Sequence, residues 1–173
     1  MGCSSCFWGI LKATFYPSPK CRILLSMHLT LAHVAPRTRD EFDAAIRRYL
    51  ARCSPFVTTD AQLFKSEEAL LTWIDRQHGR TPVIPVLLDS RGRQMTSGVF
   101  ADWLGARRNE GAQNIVFAIG PADGWSAPTR ERAQLLLSLG PFTLAHTLAR
   151  LVMAEQLYRA VTILSGHPYH SGH

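Results

Sequence analysis

Beyond residue 26 the sequence has one cysteine, Cys53, no uninterrupted apolar stretch of membrane-spanning length, and none of the usual glycine signatures of nucleotide binding. Each shortage excludes something. A lone thiol cannot close an internal disulfide and suits a reducing, cytoplasmic setting. A membrane helix needs about 20 predominantly apolar residues, so the sequence predicts no membrane span. No G-x-G-x-x-G follows a strand and no G-x-x-x-x-G-K-S/T occurs, so the dinucleotide and P-loop readings lack their phosphate cradle. A G-x-S-x-G nucleophile elbow is missing too.

Negative charge is also short. The chain has 19 basic against 13 acidic side chains, a net of +6. Such a balance favours an anionic partner, nucleic acid being the commonest. Residues 1–26 contribute three of the bases (Lys12, Lys20, Arg22), three of the four cysteines (Cys3, Cys6, Cys21) and no acid. The remainder is therefore only +3, and attraction to RNA has to come from a local patch. Pro17 and Pro19 interrupt residues 1–26 as a secretory signal. Cys6 stands where a myristoylation signal needs Ser or Thr, and Cys3-x-x-Cys6 has no second pair to complete a zinc site. The expectation is an N-terminal extension over 1–26, disordered or a wrong start, followed by one domain over 27–173.

From Met27 the pattern alternates strand and helix. Leu29, Leu31 and His33 alternate with Thr30, Ala32 and Val34 as a first strand. Thr38-Arg39-Asp40-Glu41 reads as a capping box before an apolar helical face of Phe42, Ala45, Ile46, Tyr49 and Leu50. Phe56 to Phe64 reads as a second strand, and Ser66 as the cap of a helix opening with Glu67 and Glu68. Val83 to Leu88 is a buried strand whose Pro85 argues for an edge or a bulge. Ser97 can cap a helix bearing Phe100, Trp103 and Leu104. Asn114 to Ile119 is another buried strand, Thr129 to Leu137 reads as helix, and Leu144 to Leu164 is a long helix ended by Gly166 and Pro168. This alternation predicts an α/β fold, a mainly parallel sheet flanked by helices, with ligands beyond the carboxyl ends of the strands.

Three glycine-bearing turns stand there: Leu87 to Arg93 around Gly92, Ile119 to Trp125 around Gly120 and Gly124, and Leu137 to Leu144 around Gly140. Each alone reads as a connection. Together they can present backbone N–H and C=O groups to a flat polar ligand such as adenine.

The order of short motifs is more specific. Leu88-Asp89-x-x-Gly92-Arg93, Ser97-x-x-Phe100-Ala101, Ile119-Gly120-x-x-x-Gly124, Leu137-Ser138-Leu139, Thr143-Leu144-x-His146, Leu148-x-Arg150, Glu155 to Ala160 and His167-Pro168-Tyr169-His170 occur in sequence. This resembles the RlmH family of the SPOUT superfamily, the methyltransferases that modify N3 of pseudouridine 1915 in 23S ribosomal RNA. The resemblance runs from Met27 to His170 and is strongest from Val86 onward. It implies a SPOUT-type α/β knot (a deep trefoil knot, an exception to the rule that chains do not thread loops), a homodimer, S-adenosylmethionine (SAM) as methyl donor and the ribosome as substrate. It also implies that Leu88, Gly120 and the run Leu139, Gly140, Pro141, Phe142, Thr143 and Leu144 line the SAM pocket. The chain departs from the family pattern at Pro121, where a second glycine is usual, at Val34-Ala35-Pro36-Arg37, and at the Ser171-Gly172-His173 ending.

Methylation at N3 requires loss of the imino proton. His170 titrates in the right range to assist, and a solvated tail histidine is the competing reading. Tyr169 shares that tail, and Arg150 is the candidate for RNA or dimer contact on the long helix. The spacing of His167, His170 and His173 invites a metal, but Pro168 prevents a regular helix and no carboxylate lies nearby, so no metal is expected. Two other functions remain open: a SPOUT relative methylating another RNA such as tRNA, and a non-catalytic RNA-binding assembly factor.

Overall fold

A computed structural model describes residues 27–35, 41–78 and 81–170, without the side chains of His78 and His170. The readings of residues 1–26, of Thr38, Arg39 and Asp40 in the capping box, and of Ser171 to His173 lie outside those residues.

Five strands, β1 (His28–Val34), β2 (Thr58–Phe64), β3 (Val83–Gln94), β4 (Asn114–Ile119) and β5 (Leu135–Ser138), form one sheet in the order β2-β1-β4-β3-β5. All four pairings are parallel. Helices α1 (Asp43–Cys53), α2 (Glu67–His78), α3 (Ser97–Asn109), α4 (Ala127–Glu131) and α5 (His146–Ser165) connect and follow the strands, and a 3-10 turn covers Pro168–His170.

The central strands are apolar on both faces because both are covered. Ile115, Phe117 and Ile119 of β4 and Leu29 and Leu31 of β1 join Ile46, Leu50, Phe100, Leu104, Met153, Leu157 and Val161 in the core under α1, α3 and α5. The alternate residues Val116, Ala118, Ala32 and Val34 face Leu70, Ile74 and Trp125 on the other side. Phe117 is fully buried; cutting it to Ala should cost about 3–5 kcal/mol.

Several local expectations change. The α1 cap position is Phe42, with no side-chain bond, and β2 starts at Thr58. Ser66 does cap α2, accepting from Ala69 N at 3.2 Å. The α3 cap is Thr96, whose side chain accepts from Val99 N at 3.2 Å; Ser97 sits inside the helix and donates to Gln156 Oε1 at 2.8 Å. Pro85 lies in an interior strand, not an edge. It can do so because β5 pairing begins one residue later, at Val86 opposite Leu135, and the Pro85 carbonyl still accepts from Gln134 N at 2.9 Å.

The first glycine-bearing turn belongs to β3 itself. Leu88 and Arg93 both pair with Leu137, so residues 89–92 bulge out of the ladder. A Cβ at Gly92 would stand 2.6 Å from the Leu136 backbone carbon, which is why the return to the ladder uses glycine. Helix α4 stops at Glu131, and Leu135 to Leu137, expected in a helix, belong to β5, which runs to Ser138. Parallel pairing with β3 outweighs the helix propensity of three leucines.

Candidate active site

The bulge of β3 and the carboxyl ends of β4 and β5, three neighbouring strands, open into one cavity of about 550 Å³. Leu88, Gly120, Leu139, Gly140, Phe142, Thr143 and Leu144 line it, as do Asp89, Arg91, Pro121, Asp123, Trp125, His146 and Ala149. Of the residues implied for the SAM pocket, only Pro141 is outside the lining. The cavity is thus made largely by chain turns rather than by long side chains.

Each turn is held from below. Asp89 accepts from Arg91 N at 2.9 Å and from the Arg91 guanidinium at 3.1 and 3.2 Å. That bonding holds the Asp89 carboxyl below the usual carboxylate range, against a smaller opposing effect of burial. In the second turn Gly124 N donates to Pro121 O at 2.9 Å, and Gly124 has φ +80°. Pro121 therefore starts a closed turn, and its missing N–H breaks no bond of the turn itself. In the third, Gly140 has φ +134°, and Ser138 Oγ bonds its N–H at 3.3 Å and its carbonyl at 3.0 Å.

Trp125 and Glu67 are structural contributors that the sequence did not single out. The buried Trp125 indole N–H donates to Leu88 O at 2.9 Å, joining the first turn to the second. A Cβ on Gly120 would stand 2.9 Å from that indole. The requirement for glycine at 120 therefore comes from the close approach of Trp125, itself a residue of the cavity wall. Glu67, at the start of α2, accepts from Ser126 Oγ at 2.7 Å and Thr129 Oγ1 at 2.6 Å, pinning the second turn. An acid opening a helix was visible in the sequence, but its partner 59 residues away was not.

The tail residues lie elsewhere. α5 starts at the cavity with His146 and runs 20 residues, about 30 Å at 1.5 Å per residue. At its far end the His167 ring meets Phe56, just before the amino end of β2, at 6.1 Å. Tyr169 packs edge-on against Tyr158 at 4.6 Å, and its hydroxyl donates to Glu155 Oε1 at 3.3 Å. Glu155 also accepts from Arg159 at 2.7 and 3.0 Å. Burial, then the Glu155 charge, push the Tyr169 phenol above its ordinary value, so it stays a neutral donor. Arg150 is buried and donates to Asp43 Oδ1 at 2.9 Å, tying α5 to α1. One chain thus brings the turns together and leaves Tyr169 outside the cavity lining, folded back along α5 against Glu155 and Tyr158.

At the cavity wall, the His146 ring stands 5.7 Å from that of His33, at the end of β1. The sequence offered His33 only as a strand residue and His146 only as part of a motif.

A parallel sheet with its cavity formed by three consecutive strand-end turns has the architecture of a SPOUT-class methyltransferase. The family model described as "Predicted SPOUT methyltransferase" matches residues 27–170, and the chain belongs to that family. It is 46% identical over 147 residues to the ribosomal RNA large subunit methyltransferase H of Koribacter versatilis, covering 85% of this chain and 100% of that one. It is 38% identical over 156 residues to the protein of the same name from Gloeobacter violaceus, covering 84% and 100%. Among solved structures, the SpoU methyltransferase AviRb from Streptomyces viridochromogenes aligns with TM-score 0.50 at 17% identity, a likeness of fold alone. The alignment covers 84% of this chain and spans 63% of AviRb.

Proposed function

We propose that this chain is a SAM-dependent methyltransferase of large-subunit ribosomal RNA, acting as a homodimer on N3 of pseudouridine 1915 in 23S rRNA. The carrying observation is the 550 Å³ cavity bounded by the bulge in β3 and the turns after β4 and β5, in a chain whose full-length relatives bear the name ribosomal RNA large subunit methyltransferase H.

The residues present fit SAM. Leu88, Ile119, Leu139 and Leu144 give apolar walls for an adenine, while Gly120, Gly140 and their neighbours supply backbone groups at the rim. Bound SAM supplies a methyl group on a positively charged sulfur. The chain's own part is to position the nucleotide and take its proton. Orientation contributes several kcal/mol to such a transfer. Tyr169 is a neutral phenol and cannot act as a base near pH 7.

The tail's place supports the dimer. The residues that hold Tyr169, Glu155 and Tyr158, stand nine and twelve residues along α5 from His146 at the cavity, about 14 and 18 Å of helix, which supports Tyr169 and His170 serving a cavity across a two-fold axis. In that arrangement the partner tail presents the base, and His170 assists loss of the N3 proton.

The test is methyl transfer from labelled SAM to free 23S rRNA, large subunits and whole ribosomes lacking the modification. The expected product is N3-methylpseudouridine on at least one of them, identified by mass spectrometry of the digested RNA. Methylation of tRNA and of none of these three would refute the assignment.

A further inference from the structure

Most arginines of this chain that meet a carboxylate do so closely: Arg91 with Asp89, Arg107 with Glu110, Arg132 with Asp75, Arg150 with Asp43 and Arg159 with Glu155. The outer face of α1 is different. Ala44, Arg47, Arg48, Ala51 and Arg52 are all exposed, while Ile46, Leu50 and Cys53 are buried beneath. No hydrogen bond or ion pair forms at Arg47 or Arg48 among the described residues. The alanines leave the guanidinium groups unshielded by bulk. Asp43 on α1 itself is engaged by Arg150 and Glu155 on α5 by Arg159, while the exposed Glu41 precedes the helix.

This positive face is continuous with the tail. Arg52 donates to Tyr158 OH at 3.0 Å, and its guanidinium lies 4.2 Å from the Tyr158 ring centre and 5.2 Å from that of Tyr169. Whatever the tail approaches, the α1 arginines approach with it. Guanidinium groups on a rigid helix suit phosphate oxygens, which they can bond in pairs.

We infer that the exposed arginine face of α1 docks on the phosphate backbone of the RNA substrate, beside the nucleotide that enters the partner subunit's cavity. This rests on the proposed rRNA substrate and the cross-dimer tail. It gives a body of only +3 a local patch where phosphate contact is made. Binding through it is sequence-independent and salt-sensitive.

The test uses the full chain with Arg47→Gln and Arg48→Gln together, both exposed helical positions where Gln is well tolerated. A control carries Lys65→Gln and Arg76→Gln, exposed residues near and on α2, on the other side of the sheet. With the ribosomal substrate that the wild type methylates, the α1 variant should show KM raised about tenfold or more. Its kcat and SAM affinity should be unchanged, and its salt dependence shallower by on the order of one contact per arginine. The control should match wild type. An unchanged KM and salt slope in the α1 variant overturns the docking surface and leaves the enzyme assignment standing. An equal loss in the control overturns it as well, by showing a general charge effect. A wild type that methylates no ribosomal RNA overturns the reading on which the inference rests.

Discussion

The two ends of the sheet are built by opposite means. At the carboxyl end, backbone turns do the shaping, and glycines stand where a Cβ would collide or φ is positive. At the amino end, side chains do it: Tyr158, Tyr169, Arg52, Arg159 and Glu155 hold the tail through ring contacts and charged hydrogen bonds. A cavity built from backbone tolerates little added bulk. A tail held by side chains is sensitive to their removal. The same chain thus presents a backbone-built cavity and, about 14 Å or more along α5, a tail held by side chains.

The largest effect expected from breaking this division is on catalysis. Deleting Tyr169 to His173 should leave SAM affinity near wild type and lower methyl transfer by about 10²-fold or more. Mixing that deletion with a second chain disabled at the cavity should restore part of the activity, because one intact tail then meets one intact cavity. No recovery in the mixed dimers would show that the tail does not act across the two-fold axis.

A smaller, local effect is expected at the other end. Gly120→Val must displace the Trp125 indole and break its bond to Leu88 O. It should cost about 1–3 kcal/mol of stability, as overpacking does, and weaken SAM binding at least tenfold in calorimetry. A variant with wild-type melting temperature and affinity would contradict the placement of both Gly120 and Trp125.

The smallest effect distinguishes the ends by pH. Asp89 is held below the ordinary carboxylate range, so its contribution is present above that range and lost only as pH falls through the lowered value. Tyr169 is raised, so its contribution is present below the ordinary phenol range and lost as pH rises through the raised value. SAM affinity should therefore not change through Asp89 between about pH 5 and 8, and the tail should loosen only in strong alkali. A tail-dependent activity change near pH 7 would then come from another group, and its disappearance in His170→Ala would identify that group.

Much of this was legible in the sequence, and the exceptions are instructive. β1, β4 and α5 were readable because each has a long pattern and, for α5, a glycine stop at Gly166 with φ +69°. β5 was not, since four residues show no period and leucine favours helix. The bulge at 89–92 depends on the register between β3 and β5, which no local signal encodes. The cavity residues were legible through their glycines and the family resemblance. The distance of Tyr169 from them was not, because it depends on the direction in which α5 crosses the sheet. The bonds of Glu67 and Trp125 were not legible for a similar reason: their partners are 59 and 37 residues distant.

Trp125 also makes the cavity self-reporting. The chain has four tryptophans, Trp8, Trp73, Trp103 and Trp125; among the described three, Trp125 alone lines the cavity, with its indole N–H bonded to a carbonyl of the cavity wall. Its emission should respond to occupancy without any label, and replacing Trp125 by Phe should silence that response while Trp73 and Trp103 continue to fluoresce. Ligand arrival could then be timed separately from RNA docking, in the unmodified protein, by light alone.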